Sequence, residues 1–244
     1  MATTGSAPVT ATGKMVLDLA RKHVGEQYHL GALVPKDNPN WSGPWDCAEF
    51  VSWGVFQAAA ILYGCNRDFG NPATADAFTG FWERDATTLG EIITLEKAAG
   101  TPGAALLRKP LPGAIGHIVI SDGNGGTVEA HSTATGVILS TVAGRHWDFG
   151  ILVPGISYSI GSVPVAPPPT VIYRLATPLM SGEPVRQVQL RLKAAGFDPG
   201  VIDGEFGPHT HAAVLAFQNM KGLLPDGEVG PTTAQALGVT LPPA

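Results

Sequence analysis

Trp45-Asp46-Cys47-Ala48-Glu49-Phe50-Val51 decides the reading of this chain, because it sets a cysteine where loop turns into helix. Upstream, Asn38, Pro39, Ser42, Gly43 and Pro44 interrupt regular structure. Downstream, Phe50, Val51, Val55, Ala58, Ala59 and Leu62 recur at helical spacing. The pattern predicts a helix with Cys47 in or beside its first turn and Asp46 at the N-cap. Unpaired N–H groups and the positive end of the helix dipole favour a thiolate there, and the same N–H groups can stabilise an oxyanion. Position alone does not make a nucleophile, since free cysteines are mostly small core residues. Cys65, which follows Tyr63-Gly64 with no histidine pattern nearby, reads as one of these. Two cysteines in the chain exclude a disulfide scaffold.

The segment Gly116-His117-Ile118-Val119-Ile120-Ser121-Asp122-Gly123-Asn124-Gly125-Gly126-Thr127-Val128-Glu129-Ala130-His131 supplies the partner. Ile118 and Ile120 alternate with His117, Val119 and Ser121. Val128 and Ala130 alternate with Thr127, Glu129 and His131, across a glycine-rich turn. The hairpin so predicted puts His117, Glu129 and His131 on one face. A turn centred on Gly123 pairs His117 with Glu129; one centred on Asn124 pairs it with His131. A thiol nucleophile needs an imidazole as base and a third group to orient that imidazole. A carboxylate also stabilises the imidazolium, which favours Glu129, with His131 as the alternative. His146, ahead of Trp147-Asp148-Phe149-Gly150, has no assigned role.

These residues resemble the NlpC-type cell-wall peptidases of the papain-like superfamily, with the amidase-endopeptidases called CHAP domains as close relatives. The likeness spans most of the first two thirds of the chain. It runs through Met15 to His23, Gly25 with Tyr28, Asp46 to Val51, Pro102-Gly103 as a strand, His117 to Ile120, and Glu129. The resemblance implies Cys47 as nucleophile, His117 as general base and Glu129 as orienting residue. It also implies that Tyr28 donates toward the oxyanion and that Asp46 contacts the free amine of a peptidoglycan stem peptide. Two departures stand out. Ala48-Glu49 replaces the family's frequent Ser-Gly, and a glutamate in the third position is nearer to the CHAP pattern. The stretch between Tyr28 and Asp46 is long and is expected to form part of a groove wall.

The C-terminal third carries an internal repeat. Asp203-Gly204-Glu205-Phe206-Gly207-Pro208-His209-Thr210 recurs as Asp226-Gly227-Glu228-Val229-Gly230-Pro231-Thr232-Thr233. Each copy makes a turn and leads into a helical run, Ala212 to Lys221 and Thr233 to Leu237. A further run, Val185 to Ala195, precedes both. This three-helix unit resembles the small peptidoglycan-binding domain appended to many wall hydrolases, through Val188-Gln189, Ile202 to Gly207 and Ala213 to Gln218. Most of these residues serve turns and core, so they identify the domain and not its ligand contacts. His209 and His211, two apart on a helix, do not share a face for a metal.

Gly161-Ser162-Val163-Pro164-Val165-Ala166-Pro167-Pro168-Pro169-Thr170 reads as an extended spacer. The expected organisation is a peptidase domain over 1–160, a linker over 161–178 and a binding domain over 179–244. The expected fold is α+β: a papain-like domain with its nucleophile helix packed on an antiparallel sheet, then three helices. A net charge of −5 and the lack of a basic stripe argue against nucleic acid. No segment is long enough to span a membrane. The N-terminus shows no leader pattern. The expectation is therefore synthesis in the cytoplasm and release by a leaderless route, as a phage lysin served by a holin or an injected effector with an immunity partner, or a leader outside the given sequence. The expected function is a metal-free, cofactor-free cysteine hydrolase of peptidoglycan, with D-glutamyl–diaminopimelate endopeptidase favoured and N-acetylmuramoyl-L-alanine amidase as alternative. An acyltransferase and a non-catalytic wall-binding protein are the competitors from other classes.

Overall fold

The computed structural model describes residues 10–66, 70–89, 91–112, 114–159 and 170–243. In chain order the elements are α1 (Gly13–Arg21), α2 (Cys47–Ala59), α3 (Thr79–Leu89), β1 (Ile92–Ile93), α4 (Leu95–Ala99), β2 (Ala105–Arg108), β3 (His117–Ser121), β4 (Gly126–Ser132), β5 (Gly136–Thr141), β6 (Phe149–Ile151), α5 (Glu183–Ala194), α6 (Pro208–Lys221) and α7 (Pro231–Leu237). The architecture is α+β. Contacts divide it into one unit of Met1–Arg108, His117–Ser140 and Asp148–Pro164, and another of Lys109–Gly116, Thr141–Trp147 and Val165–Ala244.

The first unit is built on a six-stranded sheet in the order β1-β6-β2-β3-β4-β5. Its β2–β3, β2–β6, β1–β6 and β3–β4 pairs are antiparallel. Ile118, Ile120, Val128 and Ala130 enter a core shared with Val16 and Leu17 of α1 and with Phe50, Val51 and Trp53 of α2. Apolar residues ring α2, so that Cys47 through Val55 are buried without a break. Such a helix belongs inside a domain. It ends at Ala60, whose φ of 55° is left-handed and carries a steric cost for a residue with a Cβ.

Pro102-Gly103, expected to be strand, instead forms the turn ahead of β2. Gly103 has a φ of +80°, and a Cβ there would fall 1.9 Å from the Gly13 carbonyl oxygen at the start of α1. The close approach of two backbones explains both the glycine and the break in the strand.

In the second unit, α5, α6 and α7 surround Val188, Leu192, Phe206, Val214, Phe217 and Val229. The repeat extends to the way its turns are held. Gln189 of α5 accepts from Gly204 N at 2.8 Å and donates to Asp203 Oδ1, the Glu205 carbonyl and Thr210 Oγ1 at 3.0–3.2 Å. Gln218 of α6 does the same one repeat later, with Gly227 N at 2.8 Å, Asp226 Oδ1, the Glu228 carbonyl and Thr233 Oγ1 at 2.8–3.0 Å. Pro208 and Pro231 open the following helices, so both runs begin earlier than hydrophobic spacing alone predicts. Residues 161–169 of the expected spacer lie outside the described residues. Residues 170–178, assigned to it by sequence, are part of this unit: Thr170 bridges Pro243, Tyr173 bridges Val229, and Tyr173 and Leu175 are buried. Burial of the Tyr173 ring and of Leu175 holds this stretch against the unit.

Two outcomes test this account. Ala60→Gly relieves the left-handed residue and is expected to stabilise the chain by about 1 kcal/mol in urea denaturation. Gln189→Ala leaves a buried N–H and several acceptors unpaired and should cost about 2–4 kcal/mol, read from amide exchange across α5–α7.

Candidate active site

Cys47 is the first residue of α2 and Asp46 is its N-cap. Asp46 Oδ1 accepts from Ala48 N at 3.0 Å, and Oδ2 accepts from Gly31 N at 3.0 Å. One carboxylate thus caps the helix and fastens the loop after Tyr28 to it. Tyr28 forms a bridge with Trp45, the residue before the cap. Burial first, then the nearby Cys47 and Asp46 groups, push the Tyr28 phenol well above its ordinary range, so it keeps its proton as a donor.

The Cys47 thiol lies against β3. Burial, and then the Asp46 carboxylate, push its pKa far up, while the backbone N–H groups of Ile118 and Ala48 pull it down. The thiol itself donates toward Asp46. Low dielectric and a neighbouring negative charge outweigh the helix terminus here, so the resting group is a thiol. A thiolate in this place requires a base that takes the proton.

His117, at the start of β3, is buried with its Nε2 2.6 Å from Glu129 Oε2. Glu129 is fully buried, and its other oxygen accepts from Thr127 Oγ1 at 2.8 Å. His131 stands edge-on to His117, ring centroids 5.6 Å apart, with its Nδ1 3.0 Å from Thr135 Oγ1. The hairpin pairs Ile120 with Val128 and Ser121 with Thr127, a turn centred on Asn124. By the register argument that turn sets His131 across from His117. The hydrogen bond nevertheless goes diagonally to Glu129, because a long side chain reaches the neighbour two positions along the facing strand.

The structure therefore brings Tyr28, Asp46 and Cys47 together at the head of α2, and Cys47 to the strand that begins with His117. It also gives contacts to three residues that carry no assigned role in the sequence analysis. Thr127 engages the carboxylate oxygen that His117 leaves open. Glu49 and Lys36, both buried, pair beneath the first turn of α2. Thr127 was findable from strand alternation, since it shares a face with Glu129. Lys36 had no periodic signal. Among the described residues, no group of three or more His, Cys, Asp or Glu is placed to hold a metal ion, and no helix is long and apolar enough to cross a membrane.

Residues 181–237, which contain α5, α6 and α7, match the family model described as "Putative peptidoglycan binding domain". Among curated proteins, the chain is 53% identical over 58 residues to a zinc D-Ala-D-Ala carboxypeptidase of Streptomyces albus G, covering 22% of each. It is 35% identical over 100 residues to the N-acetylmuramoyl-L-alanine amidase CwlM of Mycobacterium tuberculosis, covering 36% of this chain and 23% of that protein. The matches to these relatives span less than a quarter of their length. Among solved structures, the NlpC/p60 domain of the peptidoglycan hydrolase SagA aligns at 22% identity and a TM-score of 0.41, over 58% of this chain and 99% of that one.

Asp46→Asn keeps an oxygen for the helix cap and removes the charge beside the thiol. The Cys47 pKa should fall, and iodoacetamide alkylation of Cys47 at pH 8 should run about five to ten times faster than in wild type, followed by mass spectrometry across pH.

Proposed function

We propose that the chain is a cysteine hydrolase of bacterial peptidoglycan, with the reaction in the first unit and retention on the polymer in the second. The observation that carries this reading is the buried His117–Glu129 pair, whose histidine begins the strand against which Cys47 opens its helix. His117 takes the thiol proton on the ring nitrogen not engaged by Glu129. The thiolate attacks a stem-peptide carbonyl carbon, and the negative charge moves to the oxygen, where first-turn N–H groups and the Tyr28 hydroxyl stabilise it. The C–N bond breaks as the imidazolium returns its proton to the amine. Water, deprotonated by His117, then cleaves the thioester and frees the thiol.

Glu129 carries a negative charge into a dry site, where it stabilises the imidazolium and fixes the ring, and Thr127 holds the carboxylate still. The buried thiol makes the proton transfer conditional. Thiolate and imidazolium form as a pair, since an isolated thiolate beside Asp46 is disfavoured.

The favoured bond is D-glutamyl–diaminopimelate within the stem. In this reading, which follows the family resemblance, Asp46 meets the free amine of the stem, and each of its oxygens also accepts from a backbone N–H group. Cleavage of the amide between sugar and L-alanine is the second reading, favoured by relatives named as amidases. The site of action is the wall itself, outside the cytoplasmic membrane.

Mass spectrometry of soluble fragments from diaminopimelate-type peptidoglycan separates these readings. Wild type should release fragments, and Cys47→Ala should lower the rate at least about 10³-fold while the protein still pellets with the wall. Fragments that leave a dipeptide on the sugar identify the endopeptidase; sugar freed of peptide identifies the amidase. Equal silence from both proteins overturns the catalytic reading. Product formed only with an added amine acceptor assigns an acyltransferase. Glu129→Gln should lower the rate about 10²- to 10⁴-fold.

A further inference from the structure

Beneath the nucleophile lies a buried ion pair that has no part in the reaction above. Glu49 sits on the first turn of α2, two residues after Cys47, where the resembled family often carries small residues. Its Oε2 accepts from Lys36 Nζ and from Val34 N at 3.0 Å, and its Oε1 accepts from Ala77 N at 2.7 Å. Lys36 Nζ also donates to the carbonyls of Val34 at 2.8 Å and Ala75 at 2.7 Å. Every donor of the ammonium and both oxygens of the carboxylate are engaged, and both side chains are withdrawn from water. Burial pushes the Glu49 carboxyl up to about 7 against the pull of Lys36 and the two amides.

Three successive bonds run from the segment after Tyr28 to the head of α2. His29 N donates to the Trp45 carbonyl at 2.8 Å, Gly31 N to Asp46 Oδ2 at 3.0 Å, and Val34 N to Glu49 Oε2 at 3.0 Å. The same carboxylate holds the 72–77 segment through Ala77, and Lys36 N donates to the Pro72 carbonyl at 2.9 Å. Two irregular segments therefore meet at a single residue of the nucleophile helix, Glu49. Desolvating an ion pair gives little net stability compared with an apolar core, so stability alone is a weak reason for its presence. Holding an irregular wall in one place beside a reacting sulfur is a stronger one, because catalysis loses much for small displacements.

We infer that Lys36 and Glu49 are positioning residues, which lock residues 29–36 and 72–77 onto the first turn of α2 and so fix the wall that carries Tyr28 over Cys47. The inference rests on the peptidase reading for its catalytic consequence. The locking itself does not.

The informative variant is Lys36→Met with Glu49→Leu, which removes both charges without leaving one alone. Single variants strand a buried charge and should unfold or melt early. The double variant leaves the Val34 and Ala77 amides and the Val34 and Ala75 carbonyls without these partners, so it is expected to melt below the wild type yet stay folded at the assay temperature, and to lose about ten- to a hundredfold in kcat on a soluble stem peptide with KM nearly unchanged. Alkylation of Cys47 at pH 7 should run about fivefold faster as the wall loosens and the thiol is resolvated. Wild-type kcat together with a wild-type alkylation rate overturns the inference. If the wild-type chain cleaves no peptidoglycan, the peptidase reading fails and the alkylation ratio alone decides the locking. In the wild-type chain the Gly31 and Val34 amides should exchange as slowly as those inside α2. Exchange at the rate of an open loop overturns the inference even if every variant fails to fold.

Discussion

The first turn of α2 lies in the interior of its unit and yet carries Asp46, Cys47 and Glu49 in four positions. A helix N-terminus brings unpaired N–H groups with it, and a buried one must find acceptors for them. Asp46 answers for Ala48, and the remaining capacity of these side chains goes outward to Gly31, Val34 and Ala77. The sheet below, the loop beside it and the sulfur at its tip are all located relative to this turn. Its placement, more than any single catalytic group, fixes the geometry of the site.

Burying that turn has an electrostatic consequence. A nucleophilic cysteine is usually explained by a helix terminus that lowers its pKa, and the sequence invites that explanation here. In the folded unit, desolvation and the Asp46 carboxylate oppose it and win. The partner for the thiol proton in the proposed chemistry is on β3 and β4, where His117 meets the fully buried Glu129. In the proposed chemistry the proton moves between two buried groups and the total charge of the site is unchanged. A dry site tolerates that kind of step.

How much of this was legible depended on whether the signal was periodic. Strand alternation gave the hairpin and put His117, Glu129 and His131 on one face. Helical spacing with a capping residue gave α2, and self-similarity exposed the C-terminal repeat. The choice of Glu129 did not follow from register, because the turn centred on Asn124 sets a different residue opposite His117, and side-chain reach decided the contact. Lys36 was invisible for another reason. It stands in an irregular stretch, thirteen residues before its partner, and lysine is a surface residue by every compositional expectation. Glu49 was noticed only as a departure from a family pattern, although a glutamate within an apolar helix face is a sign of a buried partner. Pro102-Gly103 misled because a dipeptide that fits a strand edge also fits the turn required where two backbones meet.

A common device links the two units. The chain has 31 glycines and 21 prolines, and much of it runs as irregular segments between short elements. Irregular backbone inside a protein exposes N–H groups that no ladder satisfies. Here a single buried side chain on a helix answers for a loop. Glu49 takes Val34 and Ala77, Asp85 takes Gly64, Gln189 takes Gly204, and Gln218 takes Gly227. Carboxylates do this in the first unit, and amides, which donate as well as accept, do it in the repeat, where carbonyls must be met too. The recurrence of Gln189 as Gln218 therefore belongs to the folding of the repeat. Specificity for a ligand must come from the side chains that these anchors leave facing outward.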